Sequence, residues 1–238
     1  MASSSIQAHG GPVAHSDHDN PALGHHWESF EQQHQGNVMG MWLFLSTEIM
    51  LFSGMFLAYF IFRMLYPDMF TAANHFQNVF LGTVNTAVLI MSSVTMVLAV
   101  RSAQVGNNRL LRIFLLATAF LGLVFLGIKA YEYYEHWHEG LVPGLHWTNA
   151  ELIADEAKGI FKGSAQIYFF MYFVMTIIHA LHMTVGLGIV LTLWWRARDG
   201  RFLKEGFDPI ELIGLYWHFV DVVWVFLFPL LYLLGKQG

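Results

Sequence analysis

The 238-residue chain contains no cysteine, which excludes disulfides, thiolate metal sites, cysteine nucleophiles and thioether attachment of a c-type haem. Charge is nearly as scarce: Asp, Glu, Lys and Arg make up 12% of the residues, against about 25% in soluble domains. The first 38 residues hold no Lys or Arg and no long apolar core. No cleavable signal peptide is therefore legible, and the first apolar helix is expected to direct insertion itself. A basic surplus is missing too, since the formal charge of -5 gives no reason to expect nucleic acid as a partner.

What fills the chain instead is apolar: 55% hydrophobic and 16% aromatic residues, with 21 Gly and 12 Met. That composition suits closely packed membrane helices. Apolar runs at 39–62, 79–100, 110–131, 166–195 and 212–234 are each long enough to cross about 30 Å of hydrocarbon. The expected fold is an all-α integral membrane bundle of five transmembrane helices over 37–238. It follows a polar tail over 1–36 that carries His9, His15, His18, His25, His26 and His34. The tail reads as a flexible solvated segment rather than a metal chelator, with one amphipathic turn at Trp27 and Phe30. No internal repeat and no pair of interrupted helices is visible, which speaks against a transporter.

An odd number of spans puts the termini on opposite sides of the membrane. Arg101, Arg109, Arg112, Arg196, Arg198, Arg201 and Lys204 fall on the amino-terminal side, and Arg63, Lys129, Lys158, Lys162 and Lys236 on the other. The surplus favours a cytoplasmic amino terminus. The loop over 132–165 is then external and acidic, through Glu132, Glu135, Glu139, Glu151, Asp155 and Glu156.

Ionisable residues inside the spans are expensive and count as functional candidates. His218 and Asp221 stand one turn apart in LYWHFVDVVWVFL, Glu48 lies in MWLFLSTEIMLF, and His179 and His182 share a face in IIHALHMTVGLG. At 1.5 Å per residue Glu48 sits about 13 Å deep, His218 and Asp221 about 9–14 Å, and the histidine pair about 20 Å. Glu48, His179, His182, His218 and Asp221 are therefore expected to form one buried polar network. Three roles compete for it: glue between helices, a metal site of imidazole and carboxylate, and proton handling. Spacing weakens the metal role, because bundle di-iron sites use Glu-x-x-His with further carboxylates. Asn85 and Thr86 are expected to hydrogen-bond across helices or to the backbone. Tyr131, Glu132, Tyr133 and Tyr134 are expected to end the third span at an interfacial belt. Arg63 and Arg101, at helix ends, are candidates for lipid headgroups, with simple snorkelling as the plainer alternative.

The string YWHFVDVVW (216–224) resembles the signature of subunit III of haem-copper terminal oxidases. Further stretches resemble the same family in order: WLFLSTE (42–48), VNTAVL (84–89), YEY (131–133), and His179 and His182 followed by Val185 and Gly186. The similarity covers 38–236 and belongs to the five-helix bacterial form. It implies a chain with no redox centre of its own, with haem and copper in partner subunits. It also implies packing on subunit I beside subunit II, bound phospholipids, and support of assembly and proton uptake during oxygen reduction to water. The resemblance further associates Glu48 with His182; Glu132 is expected, with Asn85 and Thr86, to serve helix packing. The family often has Gly where this chain has Ile177 and Ala180, which should widen the local helix spacing. The expected setting is a bacterial cytoplasmic membrane, in a cytochrome c oxidase, with a larger respiratory supercomplex as a further partner. Alternatives are a quinol oxidase, a nitric oxide reductase component or, from a different class, a free-standing membrane metalloenzyme.

Overall fold

The computed structural model describes residues 30–200, 202 and 208–234; His9, His15, His18, His25, His26 and Trp27 of the tail lie outside them. The elements in order are α1 (Phe30–Leu65), α2 (Pro67–Asn74), α3 (Val79–Gln104), α4 (Asn108–His138), β1 (Leu141–Val142), β2 (His146–Trp147), α5 (Ala150–Ala157), α6 (Gln166–Arg196) and α7 (Asp208–Phe228), the last continued by a π turn at Pro229–Leu233. Five of the helices are long and apolar enough to span a membrane. Two compact units divide at Gly40. In the first, the described residues are the opening turns of α1, which therefore begins inside the stretch expected to be tail. The second, from Met41, holds every other element.

Local chemistry sets the helix ends. Asn78, Asn107 and Asn149 each accept a hydrogen bond from the backbone N–H three residues on, at 3.2, 3.2 and 3.0 Å, so α3, α4 and α5 all start on an asparagine cap. Pro67 opens α2, as proline favours the first helical position. The third span does not stop near Tyr131 as expected. It runs on to His138, and the loop read at 132–165 holds two turns of α4, a small antiparallel hairpin and α5. Gly140, at φ +68°, turns the chain from α4 into that hairpin; a Cβ there would lie 2.2 Å from Thr148 Oγ1. Both facts call for glycine.

In the second unit α3 packs along α4 and α7, and α6 packs against the same two helices. Small residues permit the close approach that membrane helices use in place of hydrophobic drive. The ring of Trp217 lies between Gly122 of α4 and Gly186 of α6, where an added Cβ would meet it at 3.0 and 3.3 Å. α1 joins along a narrow seam instead. Its buried residues, Leu45, Phe52 and Tyr59, recur every seven positions, and Phe52 sets its ring against Phe219 and His182 at 6.3 and 5.4 Å. Ile177, expected with Ala180 to widen the local helix spacing, is exposed.

At Pro229 α7 loses a backbone donor and opens into the π turn. Side chains from three other helices satisfy the carbonyls there. Tyr59 donates to Leu230 O at 2.8 Å, Tyr168 to Leu231 O at 2.9 Å, and Arg63 to Leu234 O at 2.6 Å. Asn74 also donates to Leu231 O and to the Tyr168 hydroxyl. Tyr59→Phe keeps the ring and deletes one buried donor, so it is expected to cost about 1–2 kcal/mol. An unchanged melting midpoint of the detergent-solubilised protein would show that the Leu230 carbonyl finds another donor.

Candidate functional site

Among the described residues, Lys129 and Glu132 form a deeply buried ion pair, and only Glu132 of the two was expected to have a packing role. The buried face of α4 runs through Leu111, Leu115, Thr118, Gly122, Phe125, Lys129, Glu132 and His136, steps of three and four that follow one helical face. Lys129 and Glu132 thus continue an apolar stripe into the core, and both are about fully buried. Lys129 was expected among the external basic residues; it lies instead inside the bundle. Its ammonium donates to Glu132 Oε2 at 2.8 Å, to the Tyr232 hydroxyl at 2.9 Å and to the Tyr172 hydroxyl at 3.1 Å. The two hydroxyls in turn donate to Glu132 Oε1, Tyr172 at 2.9 Å. Every proton of the ammonium and of both phenols is used, which is the condition under which a buried ion pair is tolerable. The rings of Tyr133, Tyr172, Trp224 and Tyr232 stand 5.1–5.6 Å from the ammonium and add cation–π attraction.

One turn further, His136 stacks on Tyr172 at 5.2 Å, and its Nδ1 bonds the Glu132 carbonyl at 2.7 Å. That carbonyl only accepts, so Nδ1 carries the proton. His136, Glu132, Glu135, Glu139, His75 and Gln77 line a cavity of about 580 Å³ between the end of α4 and the turn before α3.

The five residues expected to form one network separate. Glu48 of α1 meets His182 of α6, Oε2 to Nε2, at 3.0 Å, while His182 Nδ1 bonds the Ile178 carbonyl at 2.8 Å. Nδ1 therefore holds a proton, and a second proton lies between Nε2 and the carboxylate. Phe52 and Tyr216 frame this pair, Tyr216 donating to the His182 carbonyl at 2.9 Å. His179, though only one turn away, faces the core between Phe125 and Trp224, at 5.6 and 5.2 Å, and among the described residues neither ring nitrogen has a hydrogen-bond partner. Its ring works as an aromatic packing piece. His218 bonds Ser93 of α3 at 2.7 Å. Ser93 also approaches the buried Asp221, whose carboxylate makes no hydrogen bond of normal geometry. A rotation of about 100° per residue accounts for the division, because i and i+3 are about 60° apart and can face different neighbours. The five ligand groups converge on no common point, so they do not form the coordination sphere of one ion.

Thr86 accepts the Trp224 indole N–H at 3.1 Å across α3 and α7, and Ser92 accepts that of Trp217 at 3.1 Å. Asn85 is buried, and among the described residues neither amide atom has a hydrogen-bond partner. Arg63 is engaged by the Leu234 carbonyl, whereas Arg101 stands exposed at the end of α3. Tyr172, Tyr232, Tyr59, Asn74 and His136 were missed by sequence reasoning. For Lys129, Glu132 and His136 the three-and-four spacing was the available signal; for the tyrosines there was none.

Known proteins are similar to this chain over most of its length. The family model for cytochrome c oxidase subunit III matches residues 18–139 and 148–236. A cytochrome c oxidase subunit 3 of Synechocystis sp. is 32% identical over 93% of this chain and 80% of its own length. Another, from Thermostichus vulcanus, is 31% identical over 84% of this chain and 88% of its own. The quinol oxidase subunit 3 of Bacillus spizizenii is 28% identical over 95% of this chain and all of its own. Such subunits associate with other oxidase subunits that hold the cofactors, and the five apolar spans make this one multi-pass. With the family matched over most of its length, the chain belongs to the cytochrome c oxidase subunit III family, as a non-redox subunit of a haem-copper oxidase.

Proposed function

We propose that the chain serves a cytochrome c oxidase in a bacterial cytoplasmic membrane, resting on subunit I beside subunit II and sustaining proton uptake while oxygen is reduced to water. The observation that carries this is the Glu48–His182 pair. It is hydrogen-bonded, Nε2 to carboxylate, at 3.0 Å, yet only part-buried, with side chains 16% and 14% exposed and with exposed Ile49 and Met50 next to Glu48 on α1. An ionisable pair at that level of a membrane needs protein or water over it rather than lipid. A neighbouring subunit supplies that cover, and the pair then holds a proton close to the catalytic subunit. Glu132 and Lys129, by contrast, have no proton to spare and hold helices together.

Bound phospholipids, with Arg101 among the headgroup contacts, and membership of a respiratory supercomplex complete the proposed setting. The amino terminus is cytoplasmic and the carboxyl terminus periplasmic. With Lys129 withdrawn into the core, the basic count is Arg101, Arg109, Arg112, Arg196, Arg198, Arg201 and Lys204 against Arg63, Lys158, Lys162 and Lys236, a clearer surplus on the cytoplasmic side.

Glu48→Ala is expected to leave the haem content of the complex unchanged while turnover decays faster during continuous oxygen consumption. The check is a reduced-minus-oxidised spectrum of the complex purified through a tag on this chain, followed by prolonged oxygen-electrode traces. Loss of the haem bands in the variant, or a decay indistinguishable from the parent, would refute the assignment. Oxidation of reduced cytochrome c by the same preparation separates it from a quinol oxidase, the activity named for the Bacillus spizizenii relative.

A further inference from the structure

We infer that the start of α4 and the end of α6 form a binding site for a single anionic phospholipid with a hydrogen-bond-donating headgroup, of the phosphatidylglycerol type. A cavity of about 420 Å³ there is lined by Asn108, Arg109, Arg112, Ile113, Leu116 and Trp194. It is distinct from the cover over Glu48 and from the arginines at 63 and 101.

The lining reads as an amphiphile in sequence. Positions 109, 112, 113 and 116 follow one face of α4 at i, i+3, i+4 and i+7. Along that face the side chains change from two guanidinium groups to Ile113 and Leu116 within about 10 Å at 1.5 Å per residue. That is the passage from phosphate to upper acyl chain at the edge of a bilayer. Trp194 forms the facing wall, and aromatic rings favour this interfacial level. Its ring carries Arg198 at 5.3 Å, which adds a third positive charge beside the cavity, while among the described residues no carboxylate lines it.

Two unsatisfied atoms specify the ligand further. Among the described residues, the buried Arg112 Nε has no acceptor and the buried Asn108 Oδ1 no donor. The Asn108 amide is fixed in place, since its Nδ2 donates to the Ala197 carbonyl at 2.8 Å. The occupant must therefore bring an acceptor to Arg112 and a donor to Asn108. A phosphodiester supplies the first and a headgroup hydroxyl the second, whereas a choline headgroup has no donor.

The inference rests on the chain being a lipid-associated oxidase subunit, and the haem spectrum of each sample separates failure of that assignment from failure of the lipid site. The test uses the intact complex, purified through this chain in mild detergent. Native mass spectrometry then follows stepwise addition of phosphatidylglycerol, phosphatidylcholine or inorganic phosphate. The parent is expected to retain one more phosphatidylglycerol than Arg109→Gln/Arg112→Gln, with affinity lowered about tenfold or more by loss of the two charges. Arg109→Lys/Arg112→Lys should keep part of the binding. If the glutamine pair fails to assemble, as a lost haem spectrum would reveal, Trp194→Ala provides the second variant and should weaken retention with haem intact. Equal retention of phosphatidylcholine by the parent, undiminished phosphatidylglycerol in the variants, or displacement by inorganic phosphate would each overturn the site.

Discussion

Lys129→Met is expected to destabilise the folded chain by about 3–5 kcal/mol, the usual consequence of removing one partner of a buried ion pair. The variant strands the Glu132 carboxylate, which is 1% exposed and keeps only the Tyr172 and Tyr232 hydroxyls as donors. Methionine fills much of the vacated volume, so the loss reports charge rather than packing. The double replacement Lys129→Met/Glu132→Leu removes the stranded charge and should recover most of the stability. What remains is the deficit of two phenols without their acceptor, about 1 kcal/mol each. Unfolding of the purified complex by graded detergent denaturation, with the level of accumulated chain, measures both. A loss below about 1 kcal/mol in the single variant, or a double variant worse than the single, would show that the cage does not depend on its charges.

Trp224→Ala should approach the same size, about 3–5 kcal/mol for a large buried aromatic cut to a methyl group. Trp224 is fully buried. It meets Phe125 edge-on at 4.9 Å, covers His179 at 5.2 Å, lies 5.1 Å from the Lys129 ammonium and bonds Thr86. Its removal opens a void beside an ion pair and uncovers a histidine that has no partner. Trp224→Phe retains a ring and loses chiefly the indole hydrogen bond, worth about 1 kcal/mol. The same denaturation series distinguishes them: equal losses for alanine and phenylalanine would mean that the indole N–H, not the ring, carries the stabilisation.

The spans were legible because an apolar run long enough to cross a bilayer has few other uses, and the helix 216–224 string pointed to the family before any geometry was known. The helix ends were less so. Hydropathy fades where Tyr131, Glu132 and Tyr133 begin, yet α4 continues, because Glu132 and His136 find buried partners on α6, on α7 and in the helix itself. A polar residue reads as a boundary unless its partner is known, and Tyr172 and Tyr232 lie 40 and 100 residues away in sequence. Depth arithmetic brought Glu48, His179, His182, His218 and Asp221 to comparable levels, but depth says nothing about azimuth. His179 and His182 share a helix face in projection and still look into different clefts. The carbonyls of the π turn lay beyond sequence reasoning, since a proline near the end of α7 gives no hint that Tyr59, Asn74 and Tyr168 will serve them.

The cage around Lys129 also imposes an order on biogenesis. Its lysine and glutamate arrive on α4, one tyrosine on α6, and the other, Tyr232, on the turn that closes α7. Until that last helix is inserted, the ammonium lacks one acceptor and the carboxylate one donor, while Tyr59, Asn74 and Tyr168 wait without their carbonyls. A chain stalled before α7 therefore exposes unpaired polar groups at membrane depth, a chemical mark by which quality-control proteases can tell an unfinished subunit from a finished one.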